Sequence, residues 1–139
     1  MALSASTTKV GDTYTAVLVD NLTRSQIVMY AGVSGDYNPL HSDEVYCKGS
    51  AGYPGVFAHG MLTMGMTGRI VTDRFGAENV KKYGVRFTNQ VWPGDDLKAK
   101  AKVDAIRQEN GETLVDLTIE TTNQKGEVVV SGYAVARAS

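Results

Sequence analysis

"GMLTMGMTGRIVTDRF", Gly60–Phe75, is the stretch on which the fold turns. His59-Gly60 opens it and Gly76 follows it, and a glycine just past the last periodic residue is a helix stop. From Met61 to Val71 the run is apolar on nearly every side, which predicts a helix enclosed by other structure. Gly65 and Gly68 weaken such a helix by roughly 1 kcal/mol each relative to alanine. Tolerating that cost implies that a sheet or a ligand comes close to the helix. Met61, Met64 and Met66 read as core, although a wall of methionines also suits a flexible acyl chain.

The enclosing structure is legible downstream. From Val80 the pattern changes to four long strands. "VKKYGVRFTNQVW" runs to the turn Pro93-Gly94-Asp95. "LKAKAKVDAIRQ" alternates Leu97, Ala99, Ala101 and Val103 against Lys98, Lys100, Lys102 and Asp104, which predicts a strand with one wet face. Asn110-Gly111 is a hairpin signal, and "TLVDLTIETT" and "EVVVSGYAVARA" are separated by Lys125-Gly126. Strands joined by tight turns are antiparallel. Upstream, Thr13–Asn21 reads as a strand. Thr23 with Gln26 matches a capping box for a helix from Arg24 to about Val33, with Ile27, Val28, Tyr30 and Ala31 as its apolar stripe. Ser42 suggests a short helix ending at Gly49. A curved antiparallel sheet around one long hydrophobic helix is the hotdog architecture, an α+β class that composition alone does not separate from other α+β folds, here expected as a single domain over residues 1–139.

Composition narrows the function classes. Fourteen Lys and Arg against fifteen Asp and Glu leave a net charge of −1, without the basic excess of a nucleic-acid binder or a polybasic membrane anchor. No apolar run approaches the ~20 residues that span a bilayer, so no membrane partner is expected. Cys47 is the only cysteine, which rules out an internal disulfide and suggests a reducing compartment. The N-terminal "MALSASTTKVGD" lacks the basic and apolar regions of a signal peptide. A cytoplasmic location is the expectation, and the sequon at Asn21 is then accidental.

Two segments stand out chemically. "SGDYNPLH", Ser34–His41, packs Gly, Asp, Asn, Pro and His into one turn. It reads either as a plain helix exit or as a loop that aims Asp36 and His41 at a substrate. "VFAHGML", Val56–Leu62, puts His59-Gly60 at the start of the buried helix. First-turn N–H groups lack partners, and a glycine there admits a polarised oxygen, as in an oxyanion hole. The plainer reading is that Gly60 permits the turn and His59 caps the helix.

Other chemistries fail on spacing. Gly60 and Gly65 have P-loop spacing, but Met66 and Thr67 follow instead of Lys and Ser/Thr. No G-x-G-x-x-G follows a strand. No standard zinc spacing connects Asp36, His41, Asp43 and His59, so no metal is expected. Cys47 reads as buried filler, and Lys98, Lys100 and Lys102 as a solvated strand face.

Together the two segments resemble the MaoC-like family, the hotdog-fold (R)-specific enoyl-thioester hydratases and 3-hydroxyacyl dehydratases. The likeness rests on Tyr30, then Ser34-Gly35-Asp36-Tyr37-Asn38-Pro39-Leu40-His41, then His59-Gly60-Met61, with "VRFTNQVWPGDDL" (Val85–Leu97) in support. More loosely, "YAGVSGD", "AHGMLTMG" and "VRFT" are similar to the mycobacterial dehydratases of long-chain fatty acid elongation. The resemblance implies reversible hydration of a trans-2-enoyl thioester in fatty-acyl metabolism. It implies Asp36 and His41 as the catalytic pair, the Gly60 N–H on the thioester oxygen, and Asn38 and Pro39 as the residues that set the loop. It implies no cofactor beyond the coenzyme A or acyl carrier protein that carries the substrate. The helix serine of some members falls at Gly68 here, which suggests more room for a long acyl group. The resemblance further implies a homodimer, or a heterodimer with a second hotdog subunit. An acyl-binding subunit that works with a partner, and a hotdog thioesterase, are the alternatives.

Overall fold

A computed structural model of the chain describes residues 7–138, so the first six residues of the N-terminal stretch lie outside it. Strand β1 (Thr13–Val19) leads into helix α1 (Arg24–Ser34), a 3-10 turn at Pro39–His41 and one turn of helix, α2 (Glu44–Tyr46). The long helix α3 (Gly60–Phe75) follows, then β2 (Val80–Phe87), β3 (Leu97–Glu109), β4 (Glu112–Thr122) and β5 (Val128–Ala138). The strands form one antiparallel sheet in the order β1-β3-β4-β5-β2, and α3 lies against β1, β2, β3 and β5. This is the expected α+β hotdog arrangement.

Alternation makes the concave face. Leu97, Ala99, Ala101 and Val103 of β3 are buried while Lys98, Lys100 and Lys102 are exposed. Leu117 and Ile119 of β4 and Ala134 and Ala136 of β5 continue the dry face, and Ile70, Val71 and Phe75 of α3 pack on it. Register shifts at Val17/Val19, Val80/Lys82, Val103/Ala105 and Thr121/Thr122 mark bulges or irregular pairing. Bulges of this kind bend a sheet around a helix.

Several local expectations are corrected. The strand starting at Val80 stops at Phe87 and pairs with β5, not with β3. Thr88 Oγ1 and Asn89 Nδ2 both donate to the Val128 carbonyl (2.6 and 2.7 Å), and Ala58 N–H donates to the Val91 carbonyl (2.8 Å). Residues 88–96 are thereby drawn off the ladder and cross the sheet end. The second helix is capped by Asp43 rather than Ser42, and it widens into a π-type turn over Cys47–Ala51 that stops at Gly52 (φ 75°). In α1 the capping box forms as expected, but Val28 is 58% exposed and only Ile27 and Ala31 are buried.

Helix α3 is enclosed on one side only. Thr63, Thr67, Ile70, Val71 and Phe75 are buried, whereas Met61, Gly65, Arg69 and Asp73 form an exposed stripe at four-residue spacing. The sheet of one chain covers the first face and leaves the second open. Met61 is therefore a surface residue, 57% exposed, and only Met66 of the three methionines packs on the core.

Gly68 does not enlarge an acyl site. A Cβ there would stand 3.1 Å from the Tyr83 ring, so the space belongs to that ring. The Tyr83 hydroxyl donates to the Met64 carbonyl of α3 at 2.6 Å. Burial pushes the phenol from its ordinary pKa of 10.0 up to about 12, because the phenolate loses hydration. A folded pKa above the unfolded one means that this stabilisation is whole below pH ~10 and is lost as pH rises through about 12. Tyr83→Phe should lower stability at neutral pH by about 1 kcal/mol. It should also lose less stability than wild type between pH 10 and 12. Parallel denaturation curves of the two proteins across that range would refute the assignment.

Candidate active site

The loop after α1 is built by short polar side chains acting on nearby amides. Gly35 ends α1 in the left-handed conformation (φ 73°), which a side chain would strain, and its N–H donates to the Ala31 carbonyl. Ser34 Oγ donates to the Tyr30 carbonyl (2.7 Å) and accepts from the Asp36 N–H (3.2 Å). Asp36 Oδ1 accepts from the Asn38 N–H (3.2 Å), and Asn38 Oδ1 accepts from the Leu40 N–H (3.0 Å). Pro39 then occupies the first position of the 3-10 turn, where its missing N–H costs nothing. These successive Asx-type turns place His41 back against Asp36.

His41 Nδ1 lies 2.7 Å from the Phe57 carbonyl. A carbonyl only accepts, so Nδ1 carries a proton, and in the neutral ring Nε2 is then the nitrogen with the free lone pair. Nε2 faces Asp36 Oδ2 at 4.0 Å, with the His41 side chain 11% exposed and that of Asp36 52% exposed. That gap is too long for a direct hydrogen bond and is of the size one water molecule spans. Cys47 lies beneath the loop, fully buried, with Sγ 3.4 Å from the Leu40 carbonyl, as filler rather than nucleophile.

Gly60 is the first residue of α3. The first bonds back into the helix run from Leu62 and Thr63 N–H to the His59 carbonyl, so the Gly60 amide lies ahead of them. The positive end of the helix dipole backs it. The Phe87 ring covers Gly60 so closely that a Cβ would sit 3.1 Å from it. A half-open cavity of about 290 Å³ adjoins this point, lined by Phe57, Ala58, Gly60, Thr63, Phe87, Val91, Val129 and Val130 among others. Asp36 and His41 do not line it; His41 meets it through Phe57, whose ring it contacts edge-on. The cavity is apolar in its depth and polar where residues 88–90 form its rim.

His59 is the residue to which sequence reasoning assigned too little. It makes no side-chain cap to α3. Instead its ring is 1% exposed, stacks on His41 (centroids 3.8 Å, 27°), meets Tyr30 edge-on, and places Nε2 3.0 Å from the Asp36 carbonyl. No spacing rule relates a helix cap to a loop eighteen residues upstream. Asp36, His41 and His59 bring one ligand-type atom each within 4.8 Å of one another, although no zinc spacing linked them. His41 Nδ1 and His59 Nε2 each lie against a backbone carbonyl, which leaves one nitrogen of each ring for any further partner.

Fold and site thus define a hotdog protein with a carboxylate–imidazole pair set beside the bare N-terminus of the long helix that its sheet covers on one face. A family model described as MaoC like domain matches residues 5–125, and the chain belongs to the MaoC-like dehydratase family. The chain is 36% identical over 112 residues to the peroxisomal hydratase-dehydrogenase-epimerase of Saccharomyces cerevisiae, covering 81% of this chain and 11% of that one. It is 30% identical over 129 residues to the mitochondrial 3-hydroxyacyl-[acyl-carrier-protein] dehydratase of Arabidopsis thaliana, covering 92% of this chain and 76% of the relative. The R-hydratase PhaJ1 of Pseudomonas aeruginosa, solved unliganded, superposes with a TM-score of 0.82 at 26% identity, over 99% of this chain and 87% of that one. The chain thus spans only a small part of the yeast enzyme. Among the described residues no helix is long and apolar enough to cross a membrane.

Proposed function

We propose that this protein adds water reversibly to a trans-2-enoyl thioester, giving an (R)-3-hydroxyacyl thioester, and works as a dehydratase in the opposite direction. The observation that carries the reading is the disposition of His41. The Phe57 carbonyl holds its proton on Nδ1, so the basic Nε2 faces the Asp36 carboxylate across a water-sized gap.

In hydration, one water sits between Asp36 Oδ2 and His41 Nε2. Asp36 takes a proton from it while His41 orients it, and its oxygen bonds to C3. The C2–C3 π electrons move toward the carbonyl, whose oxygen gains charge against the Gly60 N–H. The proton taken from water is returned at C2, so nothing but water is consumed. Dehydration reverses each step: the pair removes the C2 proton and protonates the departing hydroxide. Every step is proton transfer or carbon–oxygen bond change, which calls for no cofactor besides the coenzyme A or acyl carrier protein on the thioester. Asn38 and Pro39 hold the loop so that both groups keep their aim. The acyl chain is assigned to the cavity next to Gly60. Relatives with hydratase and dehydratase names support the reaction class.

A partner belongs to this reading. Met29, Val33, Tyr37 and Met61 are exposed on α1, the site loop and α3, and β2 is a terminal strand of the sheet. An exposed apolar rim and an open strand edge favour a second hotdog subunit, a copy of this chain or a different one. A cytoplasmic place of action is kept as part of the proposal, although the yeast and plant relatives carry organelle names.

The test follows loss of the conjugated enoyl absorbance with purified protein and trans-2-enoyl thioesters of both carriers and several lengths, with the hydroxyacyl product resolved by chirality. Release of free thiol without loss of the double bond would replace the proposal with a thioesterase. Inactivity relieved only by a second hotdog subunit would establish the partner reading.

A further inference from the structure

His59 is buried to 1% exposure at the start of α3, and neither packing nor capping accounts for its chemistry. One ring nitrogen, Nε2, lies 3.0 Å from the Asp36 carbonyl oxygen. The other, Nδ1, is buried without a hydrogen-bond partner. A carbonyl only accepts, so the proton sits on Nε2 and Nδ1 is the bare acceptor. A leucine or phenylalanine would fill the same volume without leaving a buried nitrogen unsatisfied. What neither could do is donate to the backbone of the residue that bears the carboxylate.

The ring does a second thing. It lies against the His41 ring at 3.8 Å, while Phe57 meets the other side of His41 edge-on at 5.4 Å and Tyr30 meets His59 at 4.9 Å. His41 is thus held between two rings, its Nδ1 tied to the Phe57 carbonyl. One side chain therefore touches both members of the pair, Asp36 through its backbone and His41 through its face. It is also the residue immediately before Gly60, so the third element of the site shares the same anchor.

We propose that His59 is a positioning residue that fixes Asp36, His41 and the Gly60 amide in one frame, through an Nε2–H bond to the Asp36 carbonyl and a stack on His41. The proposal rests on the hydratase reading, and it predicts an effect on turnover rather than on substrate binding, because the His59 side chain is buried away from the surface. A misplacement of the order of 1 Å in such a frame costs about 10²-fold in rate.

Two substitutions separate the contacts. His59→Gln keeps an N–H near the Nε2 position and loses the stack. His59→Phe keeps the ring and loses the donor. The expected result is a kcat about 100-fold lower for His59→Phe, about 10-fold lower for His59→Gln, and KM within twofold of wild type in both. A folded His59→Phe with wild-type kcat, or a rise in KM at unchanged kcat, would overturn the proposal. Should His59→Phe fail to fold, nitrogen-resolved imidazole spectra of the wild-type protein decide the matter: a slowly exchanging proton on Nε2 of His59 is required, and a proton found on Nδ1 refutes it. Absence of hydration by the wild-type protein would sink the reaction assignment instead, while these spectra would still report on the bond to Asp36.

Discussion

Asp36→Asn should hydrate enoyl thioesters about 10²–10⁴ times more slowly than wild type, the range lost when a positioned base is removed. The amide has the shape of the carboxylate, and its oxygen can still accept from the Asn38 N–H as Asp36 Oδ1 does, so the loop keeps its Asx turn. What it lacks is the capacity to take a proton from water. His41→Asn is the matching variant: its amide nitrogen falls near the Nδ1 position and can still donate to the Phe57 carbonyl, while the basic Nε2 is gone. In the proposed mechanism both groups act on one water, so the double variant should be little slower than the slower single one. Either variant retaining a rate within tenfold of wild type, with an unchanged melting temperature, would remove that residue from the chemistry. Multiplicative losses would show that the two groups act on different atoms.

Gly60→Pro should lower kcat by about 10²–10³-fold, the loss that accompanies removal of one oxyanion donor. Proline is suited to this position on two grounds. Gly60 is the first residue of α3, where an N–H has no intrahelical partner, and His59 has φ −59° and ψ 134°, the extended conformation that a following proline requires. The exchange deletes the donor with little change to the helix. Gly60→Ala is the control, since it keeps the N–H. Its Cβ would come 3.1 Å from the Phe87 ring, which is half exposed and can give way. Steady-state kinetics of both variants decide the point: equal losses for alanine and proline would mean that Phe87 packing, not the amide, matters at Gly60.

Much of this was legible along the chain. Turn chemistry alone marked Ser34–His41 and the start of the long helix at Gly60, because Asx turns, prolines and glycines act within a few residues and leave their pattern in the sequence. The capping box at Thr23 and the alternation of Leu97 to Val103 against the lysines are equally local, and both appear as expected. The errors lie where a distant segment decides. Val80 to Trp92 has strand composition throughout, yet the carbonyl of Val128, some forty residues away, captures Thr88 and Asn89 and ends the strand at Phe87. Gly68 looked like space, and the Tyr83 ring fills it. Val28 and Met61 looked like core, and the single sheet does not reach them.

The sequence by itself determined an α+β class, antiparallel strands with one long apolar helix, and marked an acid, an imidazole and a helix N-terminus as its candidate reactive parts. Side-chain periodicity and the conformational limits of Gly, Pro and Asn are properties of neighbouring residues, so they survive without a fold. Only the tertiary structure decided how those parts face one another. The proton positions on His41 and His59 are set by carbonyls sixteen and twenty-three residues away, at Phe57 and Asp36. A hydrogen bond of that kind has no signature in spacing, because it exists only after the sheet and the helix have brought the two segments together.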